Sequence, residues 1–119
     1  MSLESQEQIA LLKWIRVMSN KYPDLKCIYH TPNGERRDIA TAVKLRNMGV
    51  QAGVWDIYVP VPMPGLWIEM KSKSGSLTES QIAFKERLKP HGYLFVVATS
   101  WIEAKEAIEL HIGISDANH

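Results

Sequence analysis

Two apolar segments joined by a proline-rich link constrain the fold of this chain most strongly. Residues 54–59 (VWDIYV) and 66–71 (LWIEMK) are rich in β-branched and aromatic residues and have a hydrophobic period of two, which is typical of β-strands. The link PVPMPG holds three prolines and a glycine, so neither strand can continue through it. The sequence therefore predicts two neighbouring antiparallel strands.

One register satisfies both strands and the turn together. If Asp56 faces Glu69, the turn is centred between Pro62 and Met63, in the middle of the link. The two carboxylates then lie on one face of the sheet, with Tyr58 opposite Trp67 on that face. The other face holds three apolar pairs, which are Trp55–Met70, Ile57–Ile68 and Val59–Leu66.

The opposed carboxylates predict a chemical site. Their Cβ atoms would lie about 4.5–5.5 Å apart, and like charges at that distance destabilise a sheet unless they are neutralised. A divalent cation such as Mg²⁺ or Mn²⁺ suits hard oxygen ligands. Lys71 follows Glu69 by two residues and so shares its face, where it could stabilise an anionic transition state or orient a water. The other interpretation is a surface salt-bridge cluster.

Gly53 precedes the first of these strands. A glycine there permits a close approach of the backbone, which we expect to be near the metal. This position adds weight to the chemical interpretation of the Asp-Glu-Lys cluster.

The remaining segments alternate between helices and strands. Helices are predicted over 3–19, 38–48, 78–89 and 101–112, and strands over 26–31 and 93–99. The strand 93–99 is the most apolar and is placed at the centre of the sheet. Asp38, Thr78 and Ser100 are suitable helix caps. The order α-β-α-β-β-α-β-α indicates an α/β fold, with one sheet flanked by helices.

Apolar residues recur at helical spacing along these helices. In the second helix the stripe consists of Ala42, Leu45 and Met48. In the last helix the inward residues are Ile102, Ala104, Ala107 and Ile108.

Composition excludes several classes of protein. The 119 residues suit a single domain, and 45% apolar with 23% charged residues is a globular composition. No apolar run is long enough to span a membrane, and the acidic, polar start is not a signal peptide. Cys27 is the lone cysteine, which argues against disulfides and a Cys-rich zinc site. We therefore expect one domain over 1–119, in the cytoplasm, without a membrane partner.

The charge balance limits how nucleic acid could be bound. The net charge is +1, from 14 basic and 13 acidic residues, which is not typical of binding through bulk charge. Such binding would require a local patch or more than one subunit.

Taken together, these residues resemble the VRR-NUC branch of the PD-(D/E)xK nuclease superfamily, and in particular its small stand-alone members of bacteriophage type. The matching pattern is Gly53-x-x-Asp56, Glu69-x-Lys71 and a downstream Gln81, over about residues 4–112. Trp55 departs from it, because the family usually has proline there, but the metal ligands are untouched. The resemblance implies a restriction-endonuclease-like αβββαβ core with a mixed sheet, in which the helix 38–48 is an insertion.

The resemblance also implies roles for individual residues. Asp56 and Glu69 would bind Mg²⁺ or Mn²⁺, with the backbone carbonyl of Met70 as a further ligand, and Lys71 would be the catalytic lysine. Gln81 would contact the active site or a phosphate. Its other interpretation is a capping-box glutamine paired with Thr78.

The resemblance further implies that an acid from the first helix completes the metal site. Glu4 and Glu7 compete for this role, since each begins an apolar stripe of that helix. Glu4 is preferred because the family pattern places its glutamate four residues before a glutamine, here Gln8.

Several further residues are candidates for contact with DNA. Lys44 and Lys73 are candidate phosphate contacts, and Asn33, in an Asn-Gly turn, gains a possible place in the site from the resemblance. His30 is either a partly buried polar residue or a general base. Tyr58 and Trp67 either stack on the substrate or pack across the strands.

These expectations combine into a metal-dependent DNA endonuclease. The resemblance implies a junction-resolving homodimer that acts on branched duplex DNA such as four-way junctions, in the host cytoplasm if the gene is of phage origin. The alternatives are a DNA-binding accessory protein with an inactive nuclease fold, and a small interaction domain whose acidic pair is merely on the surface.

Overall fold

A mixed four-stranded sheet flanked by helices organises the chain, in a computed structural model that describes residues 3–31 and 38–114. Neighbouring strands are antiparallel in the first two pairs and parallel in the third. The predicted α/β class is therefore confirmed. The strands are β1 (Tyr29–His30), β2 (Ile57–Val59), β3 (Leu66–Met70) and β4 (Leu94–Ala98), and the helices are α1 (Leu3–Met18), α2 (Ile39–Asn47), α3 (Glu79–Leu88) and α4 (Trp101–Ile112).

The hairpin of β2 and β3 has the predicted register. Tyr58 faces Trp67, and the flanking pairs are Ile57–Ile68 and Val59–Leu66. Period-two patterning fixes this register because a shift by one residue would turn every apolar side chain toward the wrong face.

One face of the sheet is covered by α1 and α4, which bury the main core. Burying an aliphatic side chain completely stabilises the fold by roughly 1.5–3 kcal/mol, so this cluster fixes β2 and β3 in position. Its members are Leu11, Ile15, Leu25, Ile57, Val59, Leu66, Ile68, Met70, Ala98, Ala104 and Ile108.

The opposite face carries an aromatic layer under α3. Trp67 packs edge-to-face against Phe84 of α3, with ring centroids 5.0 Å apart. Tyr58 stacks on Trp67 at 4.2 Å, so cross-strand packing accounts for both of these aromatic residues.

Trp55 does not face Met70 as predicted. Its indole packs edge-to-face on Phe95 at 5.0 Å, and its N–H donates to the carbonyl oxygen of Gln81 at 3.0 Å. Phe95 is the parallel neighbour of Trp67, so Trp55 lies on the α3 side. The prediction is wrong because regular pairing ends at Ile57, and the alternation of faces ends with it.

The strand predicted to be central lies at the edge of the sheet. The order is β1-β2-β3-β4, and Leu94 and Val97 of β4 remain 52% and 45% exposed. β3 is buried along its whole length instead. Apolar composition alone does not distinguish a central strand from an uncovered apolar edge.

The predicted strand over 26–31 is shorter than expected, because a 3₁₀ helix takes its first two residues. This helix runs over Pro23–Cys27, and β1 keeps only two residues. A proline at the first turn favours the helical start because its φ is already fixed in that region.

The apolar stripe of α2 does not face the sheet. No residue of α2 is buried, and Met48 just after it is 70% exposed. The helix begins at its predicted cap, where Asp38 accepts a hydrogen bond from the Thr41 amide at 2.6 Å. Capping and spacing therefore predicted the helix but not what it packs against.

The prediction that Ile102 of α4 faces inward is also wrong, since this side chain is 42% exposed. Ala104 and Ile108 are fully buried as expected. At about 100° per residue, Ile102 lies far around the helix from Ala104.

In the range 3–31 and 38–114, no helix is long and apolar enough to cross a membrane.

Gly53 permits a close approach, but the neighbour is α3 rather than a metal ligand. Its φ is +89°, and a Cβ there would overlap the carbonyl oxygen of Ser80. The glycine thus lets the segment leading into β2 lie against the start of α3.

We expect Gly53→Ala to destabilise the protein by about 3 kcal/mol, because the positive φ alone costs about 1 kcal/mol and the backbone overlap adds to it. Gly49→Ala is the matched control. Gly49 also has a positive φ of +104°, but a Cβ there meets nothing within 4 Å, so only the conformational cost should appear. Urea unfolding of the two variants measures the difference, and equal losses would contradict this account.

Candidate active site

Asp56 and Glu69 face each other where the β2–β3 ladder ends. The amide of Asp56 donates to Glu69 Oε1 at 3.1 Å, and the amide of Met70 donates to Asp56 Oδ2 at 2.9 Å. The two carboxylates thus take the place of backbone carbonyls in continuing the ladder. Each side chain is held toward the other strand, as the predicted register requires.

Both carboxylates are buried, with Asp56 8% and Glu69 3% exposed. Burial raises the pKa of Asp56 to about 6, although the Met70 amide and Lys71 oppose the shift. Burial and the charge of Asp56 raise the pKa of Glu69 to about 7. The interpretation as a solvated surface cluster is therefore wrong, because the pair is desolvated and favours protons or a cation.

Lys71 lies beside this pair. Its Nζ is 3.4 Å from Glu69 Oε2, and its side chain is only 14% exposed. Its backbone amide donates to the Ala98 carbonyl oxygen at 2.9 Å, so the parallel pairing with β4 continues through it. The ammonium group is therefore held on a strand, where it can act on charge that develops next to Glu69.

Gln81 completes the capping box and also contacts Glu69 with the same side chain. The side-chain Oε1 of Gln81 accepts from the backbone N–H of Thr78 at 2.9 Å, and the backbone N–H of Gln81 donates to Thr78 Oγ1 at 3.2 Å. These two hydrogen bonds complete the capping box. The Nε2 of Gln81 donates to Glu69 Oε2 at 2.8 Å. A carboxamide has an oxygen that accepts hydrogen bonds and a nitrogen that donates them. The Gln81 side chain can therefore cap α3 through Oε1 and orient Glu69 through Nε2 at the same time.

We expect Gln81→Glu to keep the cap but to place a third carboxylate against Glu69. Like charges at this distance should lower the metal-free stability at about pH 8 by about 1–2 kcal/mol, and Mn²⁺ should restore it. Gln81→Ala is the control, because it removes the cap and the donor and should lose about 1 kcal/mol that Mn²⁺ does not restore. Thermal unfolding in EDTA and in Mn²⁺ distinguishes the two, and identical responses would refute the contact with Glu69.

The residues around the pair fit a hard divalent cation. Mg²⁺ is commonly held by one or two carboxylates and keeps several waters, and Asp56 with Glu69 supplies that set. Within residues 3–31 and 38–114, no three His, Cys, Asp or Glu side chains converge on one point. Any further ligand would be a backbone oxygen, a water, or a side chain that moves inward.

Glu4 and Glu7 differ in their surroundings. The charge of Glu4 contributes to raising the pKa of Asp56, after the larger effect of burial. Glu7 lies with its Oε2 3.5 Å from the amide of Trp101, at the start of α4. Glu4 therefore interacts electrostatically with Asp56, whereas Glu7 lies at the start of α4. The role of Glu4 as a metal ligand stays a prediction.

Comparison with known proteins gives a structural match but no sequence match. No protein-family profile matches the chain. No curated protein matches it either. A solved structure described as a VRR_NUC domain protein aligns with a TM-score of 0.74 and 27% identity, over 98% of this chain and 93% of that one. The chain has a VRR-NUC-like fold. The predicted resemblance is confirmed, and this is a nuclease-family fold.

One residue that supports the candidate site was not predicted from the sequence. Thr31 is 7% exposed, its amide donates to the Asp56 carbonyl oxygen at 2.7 Å, and its hydroxyl donates to the Trp55 carbonyl oxygen at 2.8 Å. It thereby fixes the backbone that carries Asp56. A lone threonine at the end of a weak strand carries no signal of such a contact.

The predicted DNA contacts are dispersed. Lys44 is exposed on α2, and Lys73 is exposed in the loop after β3. Hydrogen bonds from Thr99 lower the pKa of Glu103, and the charge of Lys73 adds a smaller effect, which places Lys73 near the start of α4. Asn33 lies outside the described residues. The roles of all three stay predictions.

Proposed function

We propose that this protein is a divalent-metal-dependent endodeoxyribonuclease that hydrolyses phosphodiester bonds. The observation that carries the proposal is the buried Asp56–Glu69 pair with Lys71 beside it, on a nuclease-family fold. A desolvated acidic pair is costly to maintain unless a cation neutralises it, and PD-(D/E)xK nucleases use this combination of groups.

The side chains divide the chemistry between them. Asp56 and Glu69, with the Met70 carbonyl and Glu4 as further candidates, would hold Mg²⁺ or Mn²⁺, which polarises a scissile phosphate and lowers the pKa of bound water. Lys71 stabilises the negative charge that develops on the phosphate during in-line attack. Gln81 keeps Glu69 oriented through its 2.8 Å hydrogen bond.

Branched DNA and a homodimer form the finer part of the proposal. Cleavage of two strands requires two sites, and the net charge of +1 favours DNA binding by two subunits. Apolar residues are exposed on β4 and around α2, including Leu94, Val97, Ile39 and Met48. These surfaces are available for a second copy to cover.

The direct test is cleavage of a four-way junction and of linear duplex DNA with Mg²⁺, Mn²⁺ or Ca²⁺, together with the molar mass in solution by light scattering. We expect Mg²⁺- or Mn²⁺-dependent nicking, faster on the junction, by a protein with twice the mass of the chain. No cleavage of either DNA with Mg²⁺ or with Mn²⁺ would refute the activity. Equal rates on the two DNAs would refute only the preference for branches.

A DNA-binding accessory protein with an inactive nuclease fold is the second candidate. The observation that favours it is that the described residues do not bring three acidic or imidazole side chains together. Calorimetry separates the two, because the nuclease should bind Mn²⁺ at the carboxylate pair and the accessory protein should not.

A further inference from the structure

Trp55 closes a circuit of hydrogen bonds around Glu69. Its indole N–H donates to the carbonyl oxygen of Gln81 at 3.0 Å, and Gln81 Nε2 donates to Glu69 Oε2 at 2.8 Å. Glu69 Oε1 in turn accepts from the amide of Asp56 at 3.1 Å, and Asp56 follows Trp55 directly in the chain. We call these four residues the Glu69 network. Each oxygen of Glu69 is therefore oriented by a donor that belongs to it.

The Glu69 network is largely shielded from water. Trp55 is only 1% exposed, and Asp56 and Glu69 are buried beside it. Hydrogen bonds in such surroundings are electrostatically stronger than in water, and the members of a network polarise one another. The loss of one donor should therefore change the position of the next member, because little solvent is present to replace that donor.

The hydrogen bond from Trp55 is not needed to satisfy the backbone of Gln81. A carbonyl in the first turn of an α-helix accepts from the N–H four residues further on, and it keeps a second lone pair. An indole N–H can also remain without a bond in this protein, since those of Trp14 and Trp67 find no partner among the described residues. The bond from Trp55 is therefore best explained by where it holds Gln81.

Gly53 supports the same contact from two residues earlier. A Cβ at Gly53 would overlap the carbonyl oxygen of Ser80, the residue before Gln81. The segment that leads into β2 thus lies against the first turn of α3 at both Gly53 and Trp55. This segment sets the position of the Gln81 backbone relative to the sheet, and that position allows the Gln81 side chain to reach Glu69.

We propose that Trp55 is a positioning residue, which fixes the orientation of Glu69 through Gln81 and so raises the affinity of the carboxylate pair for its cation. The inference rests on the proposed function, in which Glu69 binds that cation. Groups that orient a metal ligand typically contribute about 10–100-fold to metal affinity. Trp55 acts through one intermediate residue, so its contribution should lie at the lower end, at about tenfold.

The first test measures the Glu69 network in EDTA, by hydrogen exchange in NMR spectra. In the wild type, the indole proton of Trp55 and the carboxamide protons of Gln81 should exchange slowly, because both groups donate hydrogen bonds. Trp55→Phe keeps an aromatic ring against Phe95 and removes the indole donor, so the Gln81 carboxamide should exchange about tenfold faster. Rapid exchange of both groups in the wild type would overturn the proposal, even if Trp55→Phe did not fold.

Trp14→Phe is the matched control. It makes the same substitution on α1, where the indole N–H has no partner in the described part of the chain. The exchange of the Gln81 carboxamide should be unchanged in this variant. Thermal unfolding verifies that each variant is folded at the temperature of the measurements.

The second test is the affinity for Mn²⁺, measured by calorimetry. Trp55→Phe should bind Mn²⁺ about tenfold more weakly than the wild type, and Trp14→Phe should bind it equally well. In the background of Gln81→Ala, adding Trp55→Phe should have no further effect, because two residues that act through one contact are not additive. DNA cleavage by Trp55→Phe should recover at high Mn²⁺ concentration, since Asp56 and Glu69 are intact.

The outcomes separate positioning from packing. Equal Mn²⁺ affinities of the wild type and Trp55→Phe, or additive losses in the double variant, would overturn the proposal. A loss of stability with unchanged exchange at Gln81 would also overturn it, because Trp55 would then only fill space. A wild type that binds no Mn²⁺ would refute the proposed nuclease, whereas the exchange at Gln81 would still decide whether Trp55 positions that residue against Glu69.

Discussion

Replacing Lys71 by methionine should lower the rate of metal-dependent DNA cleavage by about 10²–10³-fold, which is the usual cost of losing one charge-stabilising group from an active site. Methionine keeps the apolar stem and removes only the ammonium group. That group lies 3.4 Å from Glu69 and opposes the rise of the Glu69 pKa. The pKa of Glu69 should therefore rise further, and the remaining activity should shift to higher pH.

The rate should be measured at saturating DNA over a range of pH. Lys89→Met is the control, because Lys89 is exposed at the end of α3 and should leave the rate unchanged. Lys71→Arg keeps a cation and should recover part of the rate. A rate for Lys71→Met within threefold of wild type would remove Lys71 from the mechanism and with it the central reason for the nuclease proposal.

Replacing Asp56 by asparagine should stabilise the metal-free protein at about pH 8 by about 2–3 kcal/mol while abolishing cleavage. The folded pKa values are about 6 for Asp56 and about 7 for Glu69, against ordinary values of 3.8 and 4.5. The folded protein therefore binds more protons than the unfolded chain in this window, so its stability falls as the pH rises from about 4 to about 7. Above that window the full cost of burying both charges is present.

Asparagine removes one of these charges without removing a hydrogen bond. The Oδ1 atom of the asparagine can still accept from the Met70 amide, and its Nδ2 can donate to Glu69. In the wild type, the two carboxylates repel each other at this position. Urea unfolding in EDTA should show a gain at about pH 8 that shrinks toward about pH 4. Mn²⁺ should stabilise wild type but not the variant.

Asp38→Asn is the matched control. Asp38 is exposed and caps α2, and hydrogen bonds from Thr41 lower its pKa. Its contribution to the stability of the protein therefore changes with pH in the opposite direction to that of Asp56. The stability that it contributes is present above its ordinary pKa and is lost as the pH falls through the lowered value. Asn caps as well as Asp, so this variant should show no gain at about pH 8. A loss of stability on Asp56→Asn would contradict the account of the buried pair.

The hairpin was predictable because its determinants are local. Period-two patterning and a link that no strand can cross together fix one register, and the Tyr58–Trp67 pairing follows it. The helices were predictable for the same reason, since Asp38, Thr78 and Ser100 each cap the helix that follows. The metal-binding and DNA-binding roles stay predictions.

What the sequence by itself determined was therefore the set of elements, the β2–β3 register and the acid pair with its lysine. The tertiary structure alone decided that β4 is an edge, that α2 is exposed, that Gln81 reaches Glu69 and that Thr31 fixes Asp56. The physical reason is that capping and periodicity act within a few residues along the chain. Burial, the edge position of a strand and the raised pKa values of Asp56 and Glu69 depend on which surfaces pack together. Those surfaces come from residues that are far apart in the sequence.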